Sequence, residues 1–303
     1  MPELLRDVDF FAPRTLEEAL ELRASLGERG RVVAGGTDVM VWQEQGRVPL
    51  PESYLSVWGL RELRFIRPGE GRVEIGALTT YTDLIESELI QRFYPDLLEA
   101  SRQIGALQIQ NRGTLAGNVV NASPAGDTLP VLAVHDAIFV LSSAARGERR
   151  VAHDDFFVDY RKTALAPDEL LVRIELPMPS AGEELRFAKV GSRKAQTISK
   201  VMAAMKASFD SEGRFQSVAV SFGAVSPVIR RLRPLEEALM GQRPSAALAE
   251  RLDGVLQRAI SPIDDVRSDA QYRRFLAAGL LKRFLRSWQP EGAHILDFPH
   301  RAS

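Results

Sequence analysis

Two short stretches of the chain combine glycines with small polar residues. Ala34-Gly35-Gly36-Thr37-Asp38 follows the apolar run Arg31-Val32-Val33. Its two glycines free the backbone, and Thr37 and Asp38 are good N-cap residues for a short helix over 39–42. Such a loop exposes successive backbone N–H groups, which cradle an anion such as a pyrophosphate. Glycine pairs after strands also serve as plain turns. The second stretch, Asn111-Arg112-Gly113-Thr114-Leu115-Ala116-Gly117-Asn118, continues through Val119-Val120-Asn121-Ala122-Ser123-Pro124-Ala125-Gly126-Asp127 to Leu129-Pro130. Small residues there permit close backbone approach, short polar side chains supply hydrogen bonds, and Asp127 offers an acceptor for a hydroxyl such as a ribose's. Two such loops without a catalytic triad suggest a cofactor holder, against the plainer reading of two turns around a buried polar knot.

Other chemistries lack their signatures. The sequence has no P-loop pattern, no Rossmann glycine fingerprint after a strand, no paired-histidine zinc motif and no nucleophile elbow. His135-Asp136 and His153-Asp154-Asp155 could be drawn as metal or acid–base clusters, but neighbours on one element seldom point at one ligand, which favours surface or turn roles. Arg230-Arg231-Leu232-Arg233 reads as an anion patch or, more simply, as a solvated loop before a helix starting near Pro234. With no cysteine, this sequence can hold neither a disulfide nor an iron–sulfur cluster and offers no thiol nucleophile.

Composition sets the class. The 303 residues point to two domains at roughly 150 residues each. Lys+Arg 39 against Asp+Glu 40 gives a net charge of -1, so no basic field for nucleic acid exists. No apolar run approaches the roughly 18 residues of a membrane span, and the start lacks the profile of a signal peptide, so a cytoplasmic, soluble protein is expected.

The elements that must hold these loops can be read from periodicity. Residues 15–26 form an amphipathic helix with Thr15 and Glu18 at capping-box spacing, and 31–34 form a strand into the first glycine loop. A strand at 73–77 leads to Thr80 and Asp83, again at capping spacing, before a helix over 84–90. Further strands are expected at 137–141 and 170–176. Two prolines and a glycine within 177–182 suit a linker. Beyond it, 201–209 and 215–224 read as an antiparallel hairpin, and helices over 245–259 and 269–288 close an α+β arrangement.

Several ordered motifs together resemble the FAD-binding medium subunits of molybdenum hydroxylases, the family of the xanthine dehydrogenase flavin domain and the carbon monoxide dehydrogenase flavoprotein. The resemblance runs nearly end to end. It rests on the loop at 34–38, Ile75-Gly76-Ala77, the block from Ile109-Gln110 to Asn118, and Ser123 with Pro124-Ala125-Gly126-Asp127. In the second half, Phe187-Ala188-Lys189-Val190-Gly191-Ser192-Arg193-Lys194-Ala195-Gln196, Ile198-Ser199-Lys200-Val201, Phe222-Gly223-Ala224-Val225 and residues 268–273 carry it. The family usually has a glycine where this chain has Ala116, leaving slightly less room for a cofactor. Absence of cysteine argues against the benzoyl-CoA reductase branch, which carries an inserted cluster.

The resemblance implies a fold and a set of roles. The fold is α+β: a two-subdomain FAD-binding domain of the vanillyl-alcohol-oxidase-like (PCMH) type over 1–177, then a small α+β domain of antiparallel sheet and helices over 178–303. Val33, Ala34, Gly35, Gly36, Thr37 and Asp38 would face the FAD pyrophosphate from one side, and Thr114, Gly117 and Asn118 from the other, mainly through backbone N–H groups. Gly76 and Asp127 would also contact the cofactor, Ile104 and Leu171 would lie against the flavin, and Lys189 would stand near the isoalloxazine and tune it. A valine at Gly35 or Gly117 is expected to lower flavin occupancy without unfolding the chain. The function implied is an FAD-dependent oxidoreductase subunit. Electrons would come from iron–sulfur clusters on a small partner subunit, after substrate oxidation at a molybdenum cofactor on a large one, and leave to NAD⁺ or another acceptor. A self-sufficient flavin oxidase of the same superfamily and a cofactor-free interaction subunit are the other readings.

Overall fold

The computed structural model describes residues 8–44, 46, 49–193 and 196–289. The start of the chain and Lys194 and Ala195 of the second-half motif lie outside the described residues.

Three sheets organise the molecule. A small parallel sheet has Ser53–Ser56 at its centre, flanked by Asp9–Phe11 and Gly30–Val33. An antiparallel sheet of five strands runs in the order Ile66–Gly69, Arg72–Gly76, Leu170–Pro177, Ile138–Ser143, Gly147–Ala152. The third sheet, Glu184–Val190, Val201–Phe209 and Phe215–Gly223, is antiparallel and lies wholly beyond the linker. It contains the expected hairpin, with Met205 opposite Val220.

Period-two alternation lets the third sheet serve two cores. Val201, Ala203, Met205 and Ala207 face the helices Ala246–Ala259 and Ala270–Ser287. Ala204 and Ala219 instead pack into the main core with Leu129, Val131 and Leu132 of the helix Leu129–Val134. The two halves of the chain therefore share an apolar interface. A third cluster joins the helix Leu16–Leu26 and the parallel sheet to Val140, Leu170 and Val172 of the five-stranded sheet.

Helix starts follow their caps. Thr15 accepts from the Glu18 N–H at 3.2 Å, but the Glu18 carboxylate turns to the Arg14 N–H at 2.7 Å, so the box at 15–18 is only half made. At Thr80 and Asp83 both halves are present. The helix expected over 84–90 is two helices, Tyr81–Glu86 and Glu88–Phe93, because Ser87 leaves helical backbone and caps the second. Ser245 and Asp269 cap the closing helices by accepting from Leu248 and Tyr272.

Two readings of polar clusters are corrected. His135 and His153 are buried rather than surface residues. His135 Nε2 lies 2.9 Å from Asp96 Oδ2 with both side chains fully covered, and His153 sits among Phe139 and Phe157. In the arginine run before the helix Arg233–Leu239, Arg230 and Arg233 are exposed, but Arg231 is drawn into the fold. Arg231 bonds Asp136 at 2.7 Å and Glu236 at 2.8 Å, tying the second half of the chain to the first. Among the described residues no helix is long and apolar enough to cross a membrane, and no group of three acidic, histidine or cysteine side chains is placed to hold a metal.

Candidate functional site

The parallel strand Gly30–Val33 delivers the first glycine loop to the wall of a cleft of about 1280 Å³. The second loop forms the opposite wall, where the helix Leu115–Asn121 starts. Ala34, Gly35, Gly36, Thr37 and Asp38 all line this space, as do Thr114, Ala116, Gly117, Asn118, Asp127, Ile104 and Leu171. Val33, Gly76 and Lys189 do not.

The walls touch at Gly35. A Cβ built there would sit 1.6 Å from the Arg112 carbonyl oxygen, so the glycine is required by the meeting of the two loops. Arg112 reinforces the junction, its guanidinium lying 4.0 Å over the Trp58 ring. Gly36 differs: its φ of 80° is left-handed, and a Cβ there would meet only Met40 and Val33 at ordinary contact distance. Among the described residues, no hydrogen-bond partner takes up the N–H groups of Gly35, Gly36, Thr37 or Asp38. Four successive free donors beside a left-handed glycine form an anion-binding concavity.

The second loop spends three of its donors on the protein, while, among the described residues, no partner takes up the Thr114 and Ala116 N–H groups. Leu115 N–H goes to the Thr79 carbonyl, Gly117 N–H to the Thr114 hydroxyl at 3.0 Å and Asn118 N–H to the Thr114 carbonyl. The loop meets the cleft through side chains, small size and the two remaining N–H groups. Gly76 is spent likewise. Its N–H bonds the Phe65 carbonyl, and a Cβ would approach the Leu63 carbonyl to 2.3 Å, so it permits strand packing under the cleft. Val33 closes its strand by accepting from the Val57 N–H.

Beneath the cleft, Asp127 is nearly covered and both its oxygens are engaged. Oδ2 accepts from Lys189 Nζ at 2.5 Å and Oδ1 from the Ser199 hydroxyl. Lys189 also donates to the Gln103 carbonyl at 3.1 Å, so its charge is held against Asp127 below the surface. Burial pushes the Asp127 carboxyl above the usual range, and Lys189 and Ser199 only partly reverse this. Asp38 is raised by partial burial as well, with Arg161 and Asn121 pulling it back.

Several lining residues carried no sequence signal. Tyr81 is buried on the cleft wall, and burial, then the charges of Asp127 and Asp38, raise its phenol well above the ordinary range. Its place directly after the Thr80 cap was the available clue. Arg161 sits at a hairpin tip between Phe157–Asp159 and Lys162–Thr163 with φ 53°, and donates to Asn121 Oδ1, while Asn121 donates to Asp38. Thr197, Ile198, Val266 and Arg267 reach the rim from the second half of the chain. Only folding brings them there.

An anion cradle beside an apolar floor, roofed from a second α+β unit, defines a dinucleotide-holding protein. Residues 6–179 match the family described as FAD binding domain in molybdopterin dehydrogenase, and residues 186–288 match the CO dehydrogenase flavoprotein C-terminal domain. The nicotinate dehydrogenase FAD-subunit of Eubacterium barkeri is 30% identical over 283 residues, covering 92% of this chain and 95% of that protein. The carbon monoxide dehydrogenase medium chain of Hydrogenophaga pseudoflava is 30% identical over 91% of this chain and 95% of its own length. A solved structure of carbon monoxide dehydrogenase from the same organism, lacking the Mo-pyranopterin moiety of the molybdenum cofactor, superposes with a TM-score of 0.86 at 28% identity, covering 92% of this chain and 96% of that one. The chain belongs to the FAD-binding medium subunits of the xanthine dehydrogenase and CO dehydrogenase family of molybdenum hydroxylases.

Proposed function

We propose that this chain is the flavin-carrying, electron-exit subunit of a heteromeric molybdenum hydroxylase. It would work beside a small iron–sulfur subunit and a large subunit with the molybdenum cofactor, with NAD⁺ as the acceptor. The observation that carries the reading is the row of four N–H groups without a partner among the described residues, on the wall of a cleft large enough for a dinucleotide. The residues fit the group. In this reading Gly35, Gly36, Thr37 and Asp38 hold the FAD diphosphate through their N–H groups, and Thr114, Gly117 and Asn118 close on it from the facing wall. Ile104 and Leu171 provide apolar surface for the ring system and keep water from it. When bound, FAD supplies the redox chemistry, converting between one-electron and two-electron transfer. Asp127 and Lys189 act beneath the ring end of the site as a fixed, hydrogen-bonded pair. The division of labour follows the units at 1–177 and 178–303, the second supplying Lys189 and the rim residues Thr197 and Ile198.

The relatives support the partners: two are named as the FAD-subunit or medium chain of multi-subunit dehydrogenases. No relative's name specifies an acceptor, so NAD⁺ is the part that most needs measurement. The test is purification of the untagged chain with whatever accompanies it, followed by flavin, iron and molybdenum analysis and anaerobic turnover with NAD⁺. The expected result is one FAD on this chain, iron and molybdenum only on the companions, and flavin reoxidation by NAD⁺. Reoxidation by oxygen or a dye but not NAD⁺ would reject the acceptor alone, and a colourless chain that takes up no FAD would reject the whole reading. Cell fractionation would test the cytoplasmic placement.

A further inference from the structure

Thr128 follows Asp127 directly and is fully buried. Its hydroxyl donates to Asn118 Oδ1 at 2.9 Å, ten residues back in the chain. Gly126 closes on the same oxygen: a Cβ there would come within 3.0 Å of Asn118 Oδ1. The carbonyl end of the amide is thereby pinned on the protein side. Its Nδ2 has no protein partner among the described residues, is not among the buried polar atoms left without one, and belongs to a residue lining the cleft. A carboxamide fixed by its oxygen can offer only N–H groups to the space in front of it.

We propose that Thr128 is a positioning residue that locks the Asn118 carboxamide with Nδ2 toward the cleft, where it donates to an anionic oxygen of the bound dinucleotide diphosphate. This rests on the reading of the cleft as the FAD site. It adds an oriented side-chain donor to a wall on which the N–H groups of Leu115, Gly117 and Asn118 are already taken. The two walls would then hold one anion in different ways, by free backbone donors at 35–38 and by one oriented side chain at 118. Without the Thr128 hydroxyl the amide is free to turn, and half of its orientations place a carbonyl oxygen against a phosphate.

The test is titration of the apoprotein with FAD, followed by flavin fluorescence and paired with thermal melting of the apoprotein. Thr128→Val should raise the FAD Kd about tenfold, the size of one oriented hydrogen bond to a charged group, and Thr128→Ser should restore wild-type affinity. In an Asn118→Ala background, Thr128→Val should cost no further affinity, a coupling that a purely structural role of Thr128 would not produce. Should Thr128→Val fail to fold, Asn118→Asp keeps the question open to measurement. It retains the bond from Thr128 but aims a negative charge at the cleft, so its Kd should exceed that of Asn118→Ala. Wild-type affinity in Thr128→Val, an equal loss in the Asn118→Ala background, or equal affinities of Asn118→Asp and Asn118→Ala would each overturn the proposal while leaving FAD binding intact. A wild-type chain that binds no FAD would overturn the functional reading and this proposal with it.

Discussion

In the loop at 34–38 the N–H groups of Gly35, Gly36, Thr37 and Asp38 have no partner among the described residues, whereas at 114–118 Thr79 and Thr114 take those of Leu115, Gly117 and Asn118. Both stretches are glycine-bearing, both precede a short helix, and in sequence they invite the same interpretation. The difference lies in the cap. Thr114 is a working N-cap whose hydroxyl closes the first turn of its helix, while Asp38, just before the helix Val39–Glu44, turns its carboxylate to the Asn121 amide. A helix that satisfies its own first turn becomes a wall, and one that leaves donors free becomes a binding surface.

The heaviest test of that contrast is at the junction of the walls. Gly35→Val would drive a side chain into the Arg112 carbonyl, and the loops can accept it only by parting. A loss of about 3 kcal/mol or more of stability is expected, beyond ordinary overpacking. FAD affinity should fall with it, so the expectation that this variant spares folding is withdrawn. Melting of the apoprotein decides the matter: an unchanged Tm would mean the loops separate freely and do not define the cleft.

Removing Lys189 comes next. Lys189→Met leaves Asp127 buried with only the Ser199 hydroxyl, and breaking such a pair costs about 3 kcal/mol. Replacing both partners, Lys189→Met with Asp127→Leu, should recover most of that loss, because no uncompensated charge remains. Urea unfolding of the three variants checks it, and a single variant no worse than the double would show that the pair contributes nothing. The same burial predicts a flavin potential little changed in any Lys189 variant that keeps FAD, since its ammonium is already neutralised from below.

A smaller effect sharpens the comparison directly. Thr114→Ala removes the cap and should cost about 1 kcal/mol of stability. It also frees the Gly117 N–H, yet FAD affinity should stay within about twofold, because the bond that orients the Asn118 amide is untouched. A clear gain in affinity would show that the capped donors had been withheld from a ligand they could reach.

How far the sequence disclosed this arrangement follows from the range of the interactions involved. Caps and the hairpin depend on neighbours close in sequence, the inner strands of the five-stranded sheet show in their local apolar runs, and Thr80, Ser245 and Asp269 announced their helices. The lining roles of Ala34, Thr114 and Asp127 were visible as motif positions. What stayed hidden was contact across long separations. Gly35 against Arg112, Asp127 against Lys189 and the rim at Thr197 and Val266 each join segments that only tertiary folding brings together. His135 was misplaced for the same reason, since its partner Asp96 lies on a different helix. Val33 and Gly76, motif positions expected to meet the cofactor, also hold strands together, a second role no spacing reveals.

The smallest effect concerns the pH dependence of Asp127. Burial raises its carboxyl pKa in the folded chain despite the opposing pull of Lys189 and Ser199. Between the ordinary carboxylate value and the raised one, the folded state therefore binds more protons than the unfolded state. Linkage makes this contribution to stability fully present below the ordinary value and removes it as pH rises through the raised one. Asp127→Asn carries no such group. The stability of the wild type minus that of Asp127→Asn should fall with rising pH across this window, by at most about 1.4 kcal/mol per pH unit, and flatten above it. Urea unfolding of both proteins at closely spaced pH values measures the slope. A difference that grows with pH would mean that Lys189 and Ser199 outweigh burial, and that the pair beneath the cleft is held by its charge rather than tolerated in spite of it.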